Sequence, residues 1–161
     1  MKEITCCFSG HRKIPYEQLP EITFKLEYII EKYIHEGYCN FISGDAFGFD
    51  MLAAKTVLNL KKKYPHIKLL LILPCVNQTK YWRSKEIEEY ENIKAAADNV
   101  EYVSKNYTKD CLFERNRRIV DRSGLCICYL TDISSGTGFT VNYARKKDVE
   151  VVNLKNNYTS L

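Results

Sequence analysis

The chain has 161 residues, of which 45% are hydrophobic and 27% charged, and its formal net charge is +4. The composition is typical of a globular protein and the length fits one unit, so we expect residues 1–161 to form a single domain. The charge is weaker than the dense basic stripe of nucleic-acid-binding proteins. No apolar run approaches the roughly 20 residues that cross a bilayer, and the N-terminal run is too short for a secretory signal. We therefore expect a cytoplasmic protein without a membrane partner.

Short apolar runs alternate with longer amphipathic segments along the whole chain. The apolar runs predict strands at residues 4–8, 38–43, 67–73, 100–104, 125–130 and 149–154. Helical spacing predicts helices from residue 20 to a stop at 37, and at 49–64, 78–97, 111–122 and 138–147. The strands are apolar on both faces, as in a parallel sheet covered by helices on both sides. The pattern predicts an α/β fold: a Rossmann-like, doubly wound, mostly parallel sheet of about six strands flanked by helices.

The seven cysteines lie mostly in predicted strands, where they are typical of reduced core residues. Cys126 and Cys128 would share one strand face, but a lone Cys-x-Cys is weak evidence for zinc, so we expect no metal site. Cys75 and Cys111 lie at loop boundaries and are the better candidates for exposure.

The predicted topology places a ligand site before any motif is considered. In an open α/β sheet, ligands bind at the carboxyl ends of the strands, near the point where strand order reverses. The loops at that edge are the most unusual in the chain: SGHRK (9–13), SGDAFGFD (43–50), LPCVNQTKYW (73–82) and TDISSGTGF (131–139). Their predicted convergence indicates a ligand crevice.

Loop 43–50 combines glycines and acids just before a helix. Gly44 and Gly48 would let the backbone approach a ligand, and the N–H groups at the start of the helix favour an anion. Either acid could accept hydrogen bonds from ribose hydroxyls or cap the helix. We favour Asp45 for the ligand and Asp50 for the cap or the first helical turn.

Loop 134–140 places a Gly-x-Gly between a buried strand and a helix. It leaves room for a phosphate, although a tight strand-to-helix turn produces the same spacing. Val141 stands where a dinucleotide-binding loop has its third glycine, which argues against an ordinary dehydrogenase. The residues predicted to bind here are Ser135, Gly136, Thr137, Gly138 and Thr140.

Basic residues flank the same crevice. In loop 9–13, Ser9 and Gly10 end the first strand, while His11 and Arg12 project beyond it. Arg12 could clamp a phosphate through its planar fork of donors, and the alternative is a solvated basic turn. The helix at 111–122 carries arginines on one face, a pattern that surface salt bridges also produce.

Taken together, SGHR, ISGDAFGFDMLAA, LPC-x-x-Q-x-x-x-W, ERNRRIVDRSG and SGTGFT resemble the YpsA-like family of the SLOG superfamily. The resemblance covers nearly the whole chain. It implies a Rossmann-like domain that binds nucleotides or nucleotide-derived small molecules. The chain is more distantly similar to the cytokinin-activating phosphoribohydrolases, which cleave the N-glycosidic bond of nucleoside monophosphates, and to DprA, which binds single-stranded DNA.

The phosphoribohydrolase resemblance is incomplete at the position that matters most for catalysis. Glu114-Arg115-Asn116 resembles the Glu-Arg-Lys stretch of these enzymes, so Arg115 matches their functional arginine, and Asn116 is included in the predicted binding set. Their loop glutamate corresponds to Asn142, which carries no charge and cannot act as a general base near neutral pH. If the chain is an enzyme, Glu114, Asp45 or Asp50 would replace the missing acid, and the candidate catalytic residues are Arg115, Glu114 and Asp45.

These observations predict a binding domain for a nucleotide or a nucleotide-derived ligand that is sensed or sequestered, with no cofactor besides that ligand. The first alternative is a nucleoside monophosphate phosphoribohydrolase. The second is a DprA-like module for single-stranded DNA, which we do not favour because the basic residues cluster at the crevice and form no stripe with interleaved aromatics. The resemblance also implies self-association into a homo-oligomer.

Overall fold

The computed structural model describes residues 1–156. The strands are β1 (Thr5–Gly10), β2 (Asn40–Ser43), β3 (Lys68–Leu73), β4 (Asn99–Tyr102), β5 (Leu125–Tyr129) and β6 (Glu150–Asn153). The helices are α1 (Leu19–His35), α2 (Phe49–Lys61), α3 (Ser84–Ala96), α4 (Cys111–Asp121) and α5 (Gly136–Lys146). Each predicted strand and helix is present, with shifted ends.

The six strands form one sheet in the order β4-β3-β2-β1-β5-β6, and each neighbouring pair is parallel. The predicted Rossmann-like α/β architecture is confirmed, and the sheet is parallel throughout. The chain builds outward from β1 to β4, then crosses back to β5 on the other side of β1. Strand order therefore reverses between β1 and β5, where the loops that follow these strands diverge and leave a crevice.

The core lies on both faces of the sheet. One layer buries Leu26 of α1 and Val57 of α2 against strand residues such as Phe8 and Leu71. The other buries Ile119 of α4 and Val141 of α5 against Cys7, Cys126, Cys128 and their neighbours. The strands are apolar on both sides because both sides are covered by helices.

Helix α3 begins six residues later than its predicted start at residue 78. The side chain of Glu86 accepts a hydrogen bond from the Arg83 backbone N–H at 3.1 Å, which fixes the start of the helix at Ser84. The polar stretch before it stays outside the helix and forms turns at the carboxyl end of β3.

The prediction that Cys75 and Cys111 are exposed is wrong, because they are 1% and 0% exposed. Cys111 is the first residue of α4, which packs across the sheet beside the end of β3, where Cys75 lies. Burial, and then the neighbouring Cys111, raise the pKa of the Cys75 thiol. Within residues 1–156, no group of three His, Cys, Asp or Glu side chains is arranged to hold a metal. In the same range, no helix has the length and apolarity needed to cross a membrane.

Candidate functional site

A cavity of about 310 Å³ opens at the carboxyl ends of β1 and β5, and we call it the β1–β5 cavity. Nine of its lining residues are among those predicted from the sequence: Ser9, Gly10, His11, Arg12, Arg115, Asn116, Ser135, Gly136 and Thr137. Four others were not predicted to bind: Ala46, Asp50, Leu112 and Phe113. Loops distant in sequence thus meet at the reversal of strand order.

The first turn of α5 forms one wall of the cavity. Ser135 caps the helix: its hydroxyl accepts a hydrogen bond from the Gly138 N–H at 3.1 Å and donates to the Asp132 carbonyl at 2.6 Å. Gly136 and Thr137 follow, and the leading N–H groups of a helix have no partner inside it. The helix dipole adds partial positive charge at the same point. This wall suits an anion.

His11 joins the two loops at the strand reversal. Its Nε2 accepts a hydrogen bond from the Thr131 N–H at 2.9 Å, which requires a neutral ring with the proton on Nδ1. Partial burial lowers the pKa of His11, against the opposing effect of Asp132. His11 therefore lines the cavity as a neutral side chain that connects the loops after β1 and β5, and it supplies no positive charge near neutral pH.

The two arginines of the cavity differ in freedom. Arg12 is exposed and extends the wall that follows β1. Arg115 is only 4% exposed; it donates to the Gly44 carbonyl at 3.0 Å and to Asn116 Oδ1 at 2.7 Å. Arg12 is free to reach a ligand, whereas Arg115 is held by the protein and lends a fixed positive charge.

Of the two acids in loop 43–50, Asp50 lies in the first turn of α2, as the sequence favours, but it is Asp50 and not Asp45 that lines the cavity. Asp50 is 8% exposed, and its Oδ1 is buried without a hydrogen-bond partner among residues 1–156. Burial raises the pKa of Asp50 to about 6, although Arg115 opposes the shift. Its carboxylate is therefore mostly ionised at neutral pH and free to accept a hydrogen bond.

Asp45 is sealed inside the protein and does not line the cavity. It is 0% exposed, and within the described part of the chain neither of its carboxyl oxygens has a hydrogen-bond partner. Burial, and then the charge of Asp50, raise the pKa of Asp45 to about 8. Asp45 is therefore protonated at neutral pH, and its complete burial gives a ligand no direct access.

The glycines of loop 43–50 serve the protein's own packing. A Cβ on Gly44 would lie 2.5 Å from Nη1 of Arg115, so this glycine makes room for the buried guanidinium. Gly48 has φ of +91°, and a Cβ there would lie 2.3 Å from the Arg12 carbonyl oxygen. Neither lines the β1–β5 cavity, although the sequence predicts both as ligand contacts.

Three further candidates, Gly138, Thr140 and Glu114, also lie outside the lining, as does Asn142. A Cβ on Gly138 would meet the Ile133 carbonyl at 2.1 Å, and the buried Thr140 hydroxyl bonds the Gly136 carbonyl at 3.1 Å. Glu114 is half exposed and pairs with Arg118 at 3.6 Å. Asn142, the counterpart of the phosphoribohydrolase glutamate, is exposed on α5.

The apolar lining residues come from α4. Leu112 and Phe113 follow its first residue, and the ring of Phe113 packs edge-on against Phe139 of α5 with centroids 4.9 Å apart. An apolar residue at a helix start usually indicates core packing, so sequence alone gives no signal for these two. For Asp50, the only signal is its place in the glycine-rich loop.

Comparison with known proteins identifies the family of this chain. The YpsA family model, described as the YspA SLOG family, matches residues 11–159. The chain belongs to the YpsA SLOG family.

Among relatives of this family member, a UPF0398 protein of Brevibacillus brevis is 35% identical over 109 residues, which cover 66% of this chain and 57% of the relative. The SPbeta prophage-derived protein YoqJ of Bacillus subtilis is 33% identical over 135 residues, covering 76% of this chain and 79% of YoqJ. This YpsA-family chain thus spans little more than half of the first relative and most of the second.

The fold of this YpsA-family chain is shared with DNA processing protein A from Helicobacter pylori, whose structure is described with a single-stranded DNA binding mode. The two agree with a TM-score of 0.65 and 19% identity, over 93% of this chain and 64% of the other. At this identity the likeness establishes the fold.

Proposed function

We propose that this protein binds a nucleotide, or a ligand derived from one, in the β1–β5 cavity and holds it without turning it over. One observation carries the proposal. The same cavity presents an anion-binding wall, formed by the start of α5 and Arg12, and a free acidic acceptor, Asp50 Oδ1. A ligand that satisfies both carries a phosphate and a hydroxyl group, as a ribose phosphate does.

The phosphate is assigned to the α5 wall. Apart from the chain neighbours of Gly136 and the backbone of its own helix, no heavy atom of the described residues lies within 4 Å of the point where a Cβ on Gly136 would stand, so a phosphate oxygen has space there. Arg12 reaches the same cavity from the opposite loop and can donate two parallel hydrogen bonds to a phosphate. The fixed charge of Arg115 adds favourable electrostatic potential.

The ribose is assigned to the floor near Asp50. A buried acceptor without a partner costs about 1 to 3 kcal/mol, and a ribose hydroxyl that donates to Asp50 Oδ1 would recover this energy. The volume of 310 Å³ lies at the lower end of the range for ligand sites. It accommodates a sugar phosphate more readily than a complete nucleotide.

The binder hypothesis is preferred to the phosphoribohydrolase alternative because of charge placement. Cleavage of an N-glycosidic bond builds positive charge on the ribose, which a nearby carboxylate stabilises. Asn142, which is exposed on α5, stands where the phosphoribohydrolases have their loop glutamate. Asp50 is the remaining acid that lines the cavity, and it is the candidate if turnover occurs. A cytoplasmic location and self-association are parts of the same proposal.

Single-stranded DNA is the second candidate ligand. The sequence argues against nucleic acid, but that expectation does not fit the shared fold with DNA processing protein A and its described single-stranded DNA binding mode. A nucleotide site neutralises few phosphates and therefore depends weakly on salt, whereas a DNA-binding groove releases many counterions.

The test compares nucleoside monophosphates, their free nucleosides and a single-stranded oligonucleotide. We expect nucleotides to raise the melting temperature, and nucleosides to do so much less, because the phosphate contact contributes about 1.5 to 3 kcal/mol. Equal stabilisation by both would contradict the proposed phosphate site. Micromolar oligonucleotide binding with a steep salt dependence would favour the DNA alternative.

A further inference from the structure

A second cavity, of about 450 Å³, lies beside the first at the carboxyl end of β3, and we call it the β3–α3 cavity. Its wall is mostly the segment before α3, together with Tyr107. Arg12 and Leu112 line both cavities, so the two spaces are neighbours across these side chains. A ligand whose phosphate lies near Arg12 can therefore extend into the second cavity.

The β3–α3 cavity is rich in aromatic surface. Trp82 is held edge-on by Tyr90 and Phe47, with ring centroids 5.4 and 6.1 Å away. Tyr81 is 90% exposed and Tyr107 is 62% exposed. Aromatic rings anchored in a wall or standing free at its edge offer π faces on which a planar ring can stack.

Gln78 adds a polar group to this aromatic wall. Its Nε2 donates a hydrogen bond to the Tyr90 hydroxyl at 3.4 Å. Its Oε1 is buried and, among residues 1–156, has no hydrogen-bond partner. Gln78 lines the cavity, so its free carbonyl oxygen can accept an N–H group from a ligand in this space.

We infer that the β3–α3 cavity is the nucleobase subsite of the ligand whose sugar phosphate occupies the β1–β5 cavity. The base stacks on the aromatic side chains, and Gln78 Oε1 accepts a hydrogen bond from an N–H on the base edge. Arg12 lies between the subsites, beside the phosphate end. The inference rests on the proposed function and deepens it, because it assigns base recognition to loop 73–82 and not to the apolar residues of α4.

The chain provides its own probe, because Trp82 is its only tryptophan. The experiment titrates the full chain with AMP, UMP and ribose 5-phosphate, and follows tryptophan fluorescence together with binding heat. We expect AMP to quench the fluorescence and to bind at least about tenfold more tightly than ribose 5-phosphate, since base stacking strengthens binding. Ribose 5-phosphate should bind with little quenching.

Two variants locate the base. Tyr107→Ala and Gln78→Leu should each weaken AMP binding about five- to tenfold and leave ribose 5-phosphate binding unchanged. Tyr16→Ala is the control, because Tyr16 is also an exposed tyrosine, at 85% against 62% for Tyr107, and lies outside both cavities. It should change neither affinity.

The outcomes separate the inference from the function on which it rests. Equal affinity for AMP and ribose 5-phosphate, without quenching, would overturn the base subsite and leave the phosphate site standing. Failure of every small phosphorylated ligand to bind would overturn both. Tight oligonucleotide binding that quenches Trp82, in the absence of AMP binding, would assign the aromatic wall to a nucleic acid strand and refute the inference.

Discussion

Replacing Asp45 by asparagine isolates the energetic effect of one buried carboxyl group. Asparagine has nearly the same shape, carries no charge, and tolerates the left-handed backbone at this position, where φ is +48°. In the protein, burial and the charge of Asp50 raise the pKa of Asp45 from an ordinary value of 3.8 to about 8. Between these pH values the folded state keeps a proton that the unfolded chain releases.

The sign of the pH dependence follows from this difference. A raised pKa gives stability that is fully present below 3.8 and is lost as the pH rises toward 8. Each pKa unit corresponds to about 1.4 kcal/mol, so Asp45 alone should lower the free energy of unfolding by roughly 2 to 3 kcal/mol between pH 5 and 7. The Asp45→Asn variant escapes this loss and should be more stable at pH 7, by up to roughly 4 kcal/mol.

The assay is urea denaturation of both proteins between pH 4 and 8, followed by circular dichroism. Asp98→Asn is a control of opposite sign. Burial disfavours the ionised form of Asp98, but hydrogen bonds from Lys61 and the Leu69 N–H outweigh it and lower the pKa from 3.8. The stabilisation from this lowered pKa is present above 3.8, so the Asp98→Asn variant should be less stable than the wild type above about pH 5, with the same pH slope. Identical pH slopes for the wild type and Asp45→Asn would refute the reasoning.

Four further predictions concern the cavity and its support. Arg12→Ala should weaken nucleotide binding about ten- to a hundredfold by calorimetry and leave nucleoside binding nearly unchanged; equal losses for both would contradict a phosphate contact. Because the pKa of Asp50 is about 6, nucleotide affinity should fall as pH drops through 6. Asp50→Asn should remove that part of the pH dependence. The pH dependence that remains in the variant measures the effect of protonating the ligand phosphate itself. Gly44→Ala should destabilise the protein by about 2 to 4 kcal/mol, because it displaces the buried Arg115, whereas Gly136→Ala should leave the unfolding midpoint nearly unchanged. Incubation with nucleoside monophosphates should release no free base above the uncatalysed rate by chromatography, and release that depends on Asp50 would show instead that the protein is an enzyme.

The fold could be predicted from the sequence because parallel strands covered on both sides leave an unambiguous apolar pattern. That pattern places loops 9–13 and 131–139 at the same edge, and they do meet in the cavity. The sequence places the start of α3 too early, at residue 78, because the observed start depends on one side chain, that of Glu86, which accepts a hydrogen bond from the Arg83 N–H.

The roles of the two acids in loop 43–50 could not be assigned from spacing. The loop has positive φ angles at Asp45 and Gly48, and Asp50 lines the cavity from the first turn of α2. The spacing of the acids in the sequence does not reveal this backbone path. Likewise, Leu112 lines the cavity only because α4 begins close to the end of β1, and long-range packing sets the distance between these two elements. Local sequence carries little information about such tertiary placement.

The hydrogen bond between Thr131 N–H and His11 Nε2 links residues 120 positions apart in the chain. The cavity that it closes cannot exist until β5 has paired with β1, so the ligand site forms late, after most of the chain has been synthesised. A nascent chain that ends before β5 has β1 to β4 but no β1–β5 cavity. Ligand binding would then favour the completed fold over every earlier intermediate, and the ligand itself would act as a check that folding has finished.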